Sequence, residues 1–472
     1  MEPFRFHSFV CTQQKPEGVT SCPASGSLAV LGALDREIQT RGLANDVQLT
    51  TCGCMGLCDE GPVMVVYPAG VWYRHVQPSD VSEIVGKHLG DGRAVDRLVW
   101  DDAPAMKAMS VEHGEKFRQA MAARDKAGIM SDRLDQMIRG YMPSRCLLTA
   151  LELDIFTAVG DGANAEQIGA NINANARAAG MLLNALVSLG LLSKSGDDYK
   201  NTPESARFFV QGSKDNHRNG LLHTANIWHS WSTLTDAVQS GTRVPMDGGV
   251  DHKADHKKDN RDDAAAWTRN FIAAMQRIAK DRAALVVKTL GAATATSTSA
   301  SNVRRILDLG GGSGAYSIAF AKSCPDVECE ILDVPEVVPL TAEYVRQAGV
   351  SAQVSLRAGD MLQDDFGSGY DIIMLNAICH MFSEEQNRDI FRRAHQALAP
   401  NGRLVVQDFI LNPDKTGPLH ATLFSLNMLV NTDAGASYSE SEYTQWMKAA
   451  GFTEVHRINL PGPSSLIEGL VK

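Results

Sequence analysis

Residues 303–320, VRRILDLGGGSGAYSIAF, hold the passage from which the rest of the chain can be read. VRRILDL is a short apolar run, five small residues follow it, and the stretch from Ala315 to about 323 has helical spacing. The segment is therefore a strand, a glycine loop and a helix. Glycines at such a turn let the backbone approach a ligand, and the helix start offers free amides to a carboxylate or phosphate. Toward the C-terminus the alternation continues through ECEIL, a helix over 335–348, QVSLR, YDIIML, a helix over 384–398, RLVVQ, a helix over 440–450, TEVHRINL and SSLIEGLV. Apolar strands alternating with helices predict an α/β, doubly wound, Rossmann-like parallel sheet covered on both faces, with ligands at the carboxyl ends of the strands. Alone, the loop fits two chemistries. Gly310, Gly312 and Ala315 also satisfy the dinucleotide pattern, with Asp333 about 20 residues on as a ribose ligand, so a nicotinamide enzyme is one alternative.

Upstream, residues 131–225 read as helices, RCLLTALELDIFTAVG, AEQIGANI and ARAAGMLLNALVSLGLL, followed by a ribbon that turns at Ser195, Gly196 and Asp197. Met181, Leu182, Ala185, Leu186 and Leu189 are expected to share the buried face of the third helix. The order is that of a winged helix. Arg177 is its sole basic residue between 166 and 193, which favours dimerisation or substrate-cap packing over DNA recognition. The polar run 251–263, with His252 and His256, and the small-residue stretch 291–302 are expected to be surface loops. Residues 101–130 suit a helical connector whose apolar spacing is too weak for a core. Residues 1–100 combine the strand FHSFV, the helix SLAVLGALDREIQTRG, the strand DVQLT and the hairpin VMVVYPAGVWYRHV, a small α/β unit.

The 472 residues are 44% hydrophobic and 21% charged, a globular composition too long for one core. A formal charge of -10 argues against an extended phosphate-binding surface, so no nucleic acid partner is expected. No apolar stretch reaches a membrane span, and the start, MEPFRFHSFVC, lacks a basic segment followed by an apolar one, so no membrane association and a cytoplasmic location are expected. Cys11, Cys22, Cys52, Cys54 and Cys58 crowd into the first 58 positions, and in a reducing compartment clustered cysteines read as metal or cluster ligands.

The run D-x-G-x-G-x-G from Asp308, the strand ending ILDVPEVV with Asp333, and AGDM with Asp360 together resemble class I S-adenosylmethionine methyltransferases. That resemblance implies a cofactor site of Asp308, Gly310, Gly312 and Gly314, with Asp333 on the ribose diol and Asp360 and Met361 flanking the adenine. LNAICHMFSEEQN, RRAHQALAPNGRLVVQDFIL and LFSLNMLVNTDAGASYSESEYTQWMKAAGF look more narrowly like the caffeate and acetylserotonin type of small-molecule O-methyltransferase and their bacterial relatives, hydroxyneurosporene methyltransferases among them, over about 130–472. The family carries a helical, winged-helix dimerisation region before its catalytic sheet. His380 holds the family's general-base position, and Met275 in FIAAM matches a methionine near the cofactor. Where an acidic-aromatic pair usually follows that histidine, this chain has Met381 and Phe382, so the acid is lost and an aromatic wall at Phe382 is expected to survive; Ser437 stands where the second carboxylate is expected. A carboxylate able to orient His380 is then Asp408, at the end of RLVVQD.

Over residues 4–98, SFVCTQQKPEGVTSCPASGS and TCGCMGLCDEGPVMVVYPAGVWYRHVQPSDVSEIV resemble the thioredoxin-like [2Fe-2S] ferredoxins. The resemblance implies Cys11, Cys22, Cys54 and Cys58 as cluster ligands and Cys52 as a flanking thiol. The expected architecture is thus a thioredoxin-like ferredoxin domain over 1–100, a helical linker over 101–130, a winged-helix dimerisation and substrate-cap region over 131–300, and a methyltransferase domain over 301–472. S-adenosylmethionine and a [2Fe-2S] cluster are the implied cofactors. A homodimer, a small-molecule methyl acceptor and a redox partner protein are the implied associations. The alternatives are an NADH-linked ferredoxin oxidoreductase and a redox-sensing winged-helix regulator.

Overall fold

The computed structural model describes residues 3–15, 19–244, 261–296 and 303–472, and the chain divides into two compact units, Met1–Tyr141 and Met142–Lys472. His252 and His256 lie outside the described residues, as does 297–302.

The first unit runs β1 (Phe6–Cys11), α1 (Ser27–Thr40), β2 (Val47–Cys52), β3 (Met64–Tyr67), β4 (Val71–Tyr73), α2 (Val81–Glu83, continued by a wider turn to Gly90), α3 (Ala103–Lys126) and α4 (Asp132–Arg139). Its sheet has the order β2-β1-β3-β4, with β1 parallel to β2 and antiparallel to β3. Val30, Leu34 and Ile38, one helical turn apart, form the buried stripe of α1 over this sheet. The expectation that residues 101–130 contribute no core is corrected. Ala105, Met106 and Met109 of α3 pack against Cys11, Cys22, Leu57, Val63 and Trp100, and His113 is buried one turn further on. The contact lies in the N-terminal part of a 24-residue helix, so averaging along its length dilutes the pattern.

After Tyr141, the first residue of α5 (Tyr141–Glu152), the second unit runs through the rest of that helix, α6 (Ile155–Val159), β5 (Ala163–Asn164), α7 (Ala165–Asn171), α8 (Ala176–Ser188), β6 (Leu192–Ser195) and β7 (Asp198–Asn201). The three short strands form a sheet in the order β5-β7-β6. The buried face of α8 is Ala179, Leu183 and Leu186, while Met181 and Leu189 are exposed, so the expected face is displaced around the helix. The chain continues with α9 (Pro203–Phe208), α10 (Arg218–Ser232), α11 (Leu234–Ser240) and α12 (Arg261–Thr296). Residues 291–296, expected in a loop, belong to α12: small residues have no periodicity to read, yet alanine favours helix.

The remaining elements are β8 (Arg305–Leu309), α13 (Ala315–Ser323), β9 (Glu328–Asp333), α14 (Val338–Ala348), β10 (Val354–Ala358), β11 (Tyr370–Asn376), α15 (Glu384–Ala397), β12 (Leu398–Asp408), α16 (Leu419–Asn431), α17 (Glu440–Ala450), β13 (Glu454–Asn459) and β14 (Ser465–Leu470). They build a seven-stranded sheet, order β10-β9-β8-β11-β12-β14-β13. The expectation of an all-parallel sheet fails at its end, where β14 runs antiparallel to both β12 and β13. Only residues 460–464 separate β13 from β14, enough for a hairpin and too few for a parallel crossover. One face is packed by Phe391, Tyr443 and Trp446, the other by Val286, Leu290 and Phe320. The strand order reverses between β8 and β11, which opens a crevice at their carboxyl ends. No described helix is long and apolar enough to cross a membrane.

Candidate active site and cysteine centre

The glycine loop follows β8 directly at that crevice. Gly310 has φ +66°, and a Cβ there would stand 2.8 Å from Met361 Cε and 3.0 Å from Ile378 Cγ1, so both conformation and space demand glycine. Gly312 is also left-handed, but a Cβ would meet only Ile272 Cδ1 at 3.9 Å, which leaves its outer side open for a ligand. Gly314, left-handed as well, is the N-cap of α13. Asp308 lies fully buried beneath the loop, its carboxylate accepting from Ser317 Oγ at 2.8 Å and Asn376 Nδ2 at 3.4 Å. Expected to contact the cofactor, it instead holds the turn from inside. Burial raises its pKa to about 6.

A group whose folded pKa lies above its unfolded value costs stability above the folded pKa and none below the unfolded one. Asp308→Asn is therefore expected to stabilise the protein at pH 8, by up to ~3 kcal/mol. The gain should shrink as pH falls from 6 toward 4, a trend that denaturant unfolding at several pH values can follow. A constant difference across that range would remove the buried charge as its cause.

Asp333, at the tip of β9, accepts from Gly312 N at 2.7 Å and Val334 N at 2.8 Å, which ties the second strand to the loop. Burial raises its pKa against those two bonds. Thr341 Oγ1 donates to the Gly312 carbonyl at 2.5 Å, a support the sequence reading missed. Met361, implied by the resemblance as a neighbour of the adenine, lies against Gly310. The Asp360 carboxylate is engaged within its own turn, by Leu362 N and Gln363 Nε2, both at 2.9 Å. On α12 the residue nearest Gly312 is Ile272, and Met275 follows one turn later, half-buried.

Across the crevice, β11 leads into a tight turn, Cys379–Met381, that buries His380. Its Nδ1 lies 2.7 Å from Asp408 Oδ1, and its backbone N–H donates to Asp408 Oδ2 at 3.2 Å. The same carboxylate accepts from Phe409 N at 2.8 Å and Tyr443 Oη at 3.0 Å. Four donors thus fix a buried carboxylate, and it in turn fixes the imidazole with Nε2 available as an acceptor. Phe424 meets the His380 ring edge-on at 4.8 Å, and Phe409 packs on Phe424 at 4.4 Å and on His420 at 4.8 Å. The aromatic wall expected at Phe382 is therefore built by Phe409 and Phe424. Phe382 packs into the sheet's core and Met381 is exposed. Ser437 is buried, its Oγ without a hydrogen-bond partner, and supplies no carboxylate. Trp231 of α10 donates to Asn427 Oδ1 of α16 at 2.9 Å, which joins the helical region to the same wall.

In the first unit the cysteine positions converge. Cys11, Cys22 and Cys58 are buried, Cys54 Sγ lies 3.4 Å from Cys58 Sγ, and Gly56 N donates to Cys54 Sγ at 3.2 Å. The neighbouring Cys22 thiol holds Cys58 down at about 5 and Cys11 at about 6, against the opposing effect of burial. Cys22 itself is pushed up by those two neighbours and by burial. Cys52 is raised to about 11 by burial. A Cβ at Gly61 would stand 3.0 Å from Cys22 Sγ, so glycine is needed for that loop to close over the thiols. Not anticipated from sequence are Lys15, whose Nζ lies 3.2 Å from Cys58 Sγ, and His113, within ligand distance of Cys54 and Cys58.

Comparison with known proteins agrees with the second unit's geometry. A family model for the O-methyltransferase domain matches residues 231–453, and one for the O-methyltransferase dimerisation domain matches residues 135–211. The chain is 30% identical over 342 residues to 3-hydroxy-5-methyl-1-naphthoate 3-O-methyltransferase of Streptomyces sahachiroi, covering 71% of this chain and 94% of the relative. It is 29% identical to the tetracenomycin polyketide synthesis 8-O-methyl transferase of Streptomyces glaucescens, over 71% and 95%. The solved structure of PigF with SAH superposes with a TM-score of 0.62 at 25% identity, over 72% of this chain and all of that one. The nicotinamide and DNA-binding alternatives give way to these matches, since the glycine loop lies within the first family domain and the winged helix within the second. The chain belongs to the S-adenosylmethionine-dependent O-methyltransferases.

Proposed function

We propose that this enzyme methylates the hydroxyl of an aromatic small molecule, most simply a phenol, with His380 as general base, and that its first unit is a [2Fe-2S] ferredoxin domain. The observation that carries the first part is the buried His380–Asp408 pair set against an aromatic wall. S-adenosylmethionine supplies the methyl group from its sulfonium, leaving S-adenosylhomocysteine. Asp333 and the open side of Gly312 hold the adenosyl portion beside Met361, with Asp360 and Met275 at the periphery. His380 Nε2 takes the acceptor's hydroxyl proton, Asp408 stabilises the resulting imidazolium, and solvent later receives the proton. Phe409 and Phe424 give a flat acceptor a stacking surface. A panel of phenols and naphthols incubated with S-adenosylmethionine should yield at least one product heavier by one methyl group. Methylation confined to thiols or aliphatic alcohols would overturn the aromatic reading.

For the cluster, four convergent thiols suit iron, and Gly56 N–H on Cys54 is a donor of the kind that tunes such centres. The order β-α-β followed by a β-hairpin supports the thioredoxin-like comparison. Methyl transfer moves no single electrons, so we assign the cluster to exchange with a redox partner protein or to regulation. Iron and acid-labile sulfide should be found in equal amounts in protein purified without oxygen, and Cys54→Ser should lose the visible chromophore. Zinc in place of iron would refute the assignment.

The catalytic region 301–472 is completed by the helical region 131–300, and we propose a cytoplasmic homodimer. All nine cysteines are unpaired, which fits a reducing compartment. Leu134, Met137, Ile138 and Tyr141 are exposed, an apolar stripe suited to burial against a second copy. Light scattering should give twice the chain mass for the wild type and a shift toward monomer for Met137→Glu/Ile138→Glu. A monomeric wild type would contradict the dimer.

A further inference from the structure

The cysteine centre has a neighbour that its ligands do not require. Lys15 Nζ donates to Cys58 Sγ at 3.2 Å, and its position is set by α3. His113 Nε2 accepts from the same ammonium, and the Phe117 ring lies 5.3 Å from it in cation–π geometry. Helix α3 is itself seated by Asp102, whose carboxylate caps it by accepting from Ala105 N at 2.9 Å, and by Met106 and Met109 in the core with Cys11 and Cys22. At Gly56 a side chain would collide with Ser110, so the cysteine loop and α3 approach as closely as backbone allows. A lysine head on a flexible four-carbon stem ordinarily samples solvent, whereas here an acceptor and an aromatic face hold it over a sulfur.

We propose that α3 is a potential-setting clamp: through His113 and Phe117 it fixes the Lys15 ammonium against Cys58, and this placed charge raises the reduction potential of the bound cluster. The inference rests on the cluster reading above. Reduction adds one electron, and hence one negative charge, to the centre. A fixed cation at a ligand sulfur stabilises the reduced form more than the oxidised one. His113 is a positioning residue, acting through Lys15.

The test is an anaerobic spectroelectrochemical titration of the full-length protein, with an electrode and mediators supplying the electron. Lys15→Gln should lower the reduction equilibrium about tenfold, ~59 mV for a one-electron couple. Lys15→Arg should stay near wild type. His113→Ala should lower the potential in the same direction, and His113→Gln, whose carbonyl can still accept from Lys15, should restore much of it. In the Lys15→Gln background His113→Ala should add nothing, since its partner is gone. A wild-type potential in Lys15→Gln, or an undiminished His113→Ala shift in that background, would overturn the clamp. If Lys15→Gln assembles no cluster, the His113→Ala and His113→Gln pair decides, and equal potentials in those two count against the proposal. Absence of iron and sulfide from the wild type would instead refute the cluster itself.

Discussion

Replacing His380 by alanine is expected to slow turnover by ~10² to 10⁴ while leaving affinity for S-adenosylhomocysteine unchanged. The separation follows from the layout of the crevice. His380 follows β11, whereas the glycine loop and Asp333 that would hold the cofactor belong to β8 and β9. Asp408→Asn should also lower turnover, because an amide cannot support the imidazolium as a carboxylate does, and it can turn its N–H toward Nδ1 and select the wrong tautomer. Tyr443→Phe removes one of the four donors to that carboxylate and should cost less than Asp408→Asn. Initial rates at saturating S-adenosylmethionine, paired with calorimetric titration of S-adenosylhomocysteine, separate chemistry from binding. A fully active His380→Ala enzyme would leave the hydroxyl proton without the acceptor assigned to it.

Asp333→Ala is the change expected to weaken cofactor binding most. A carboxylate that accepts two hydroxyls makes charge-assisted hydrogen bonds of about 1.5–3 kcal/mol each, so their loss implies roughly 10²-fold weaker binding or more. The effect should be compounded because the carboxylate also receives Gly312 N, and removing it frees the loop that the ligand approaches. Asp333→Asn, which retains one acceptor oxygen, should fall between alanine and wild type. The measurement is the dissociation constant for S-adenosylhomocysteine. An alanine variant that binds as tightly as wild type would move the ribose contact elsewhere.

Features that depend on short-range pattern were legible in the sequence. The strand-loop-helix at 303–320 and the alternation after it form as read, and the carboxylate ending RLVVQD does reach His380. That pairing is readable because neighbouring parallel strands β11 and β12 bring their carboxyl ends to the same edge of the sheet. What depends on three-dimensional packing was not legible. The wall of Phe409 and Phe424 joins the segment after β12 to α16, a helix the alternation did not register, and nothing local distinguishes those phenylalanines from core residues. The face of α8 was misplaced because leucine and alanine surround most of that helix, so several stripes compete. The direction of β14 was within reach: PGP at 461–463 between two strands is a hairpin signal, and the expectation of parallel strands overrode it. His113 carried no signal at all, since its spacing from the cysteines means nothing until α3 is folded over them.

The most direct test of the account is a crystal structure with S-adenosylhomocysteine and an aromatic alcohol bound together. It should place both ribose hydroxyls on Asp333, the sulfur and the acceptor oxygen facing each other, and that oxygen within hydrogen-bond distance of His380 Nε2. An adenosyl group seated away from Asp333, or an acceptor oxygen directed away from His380, would contradict it.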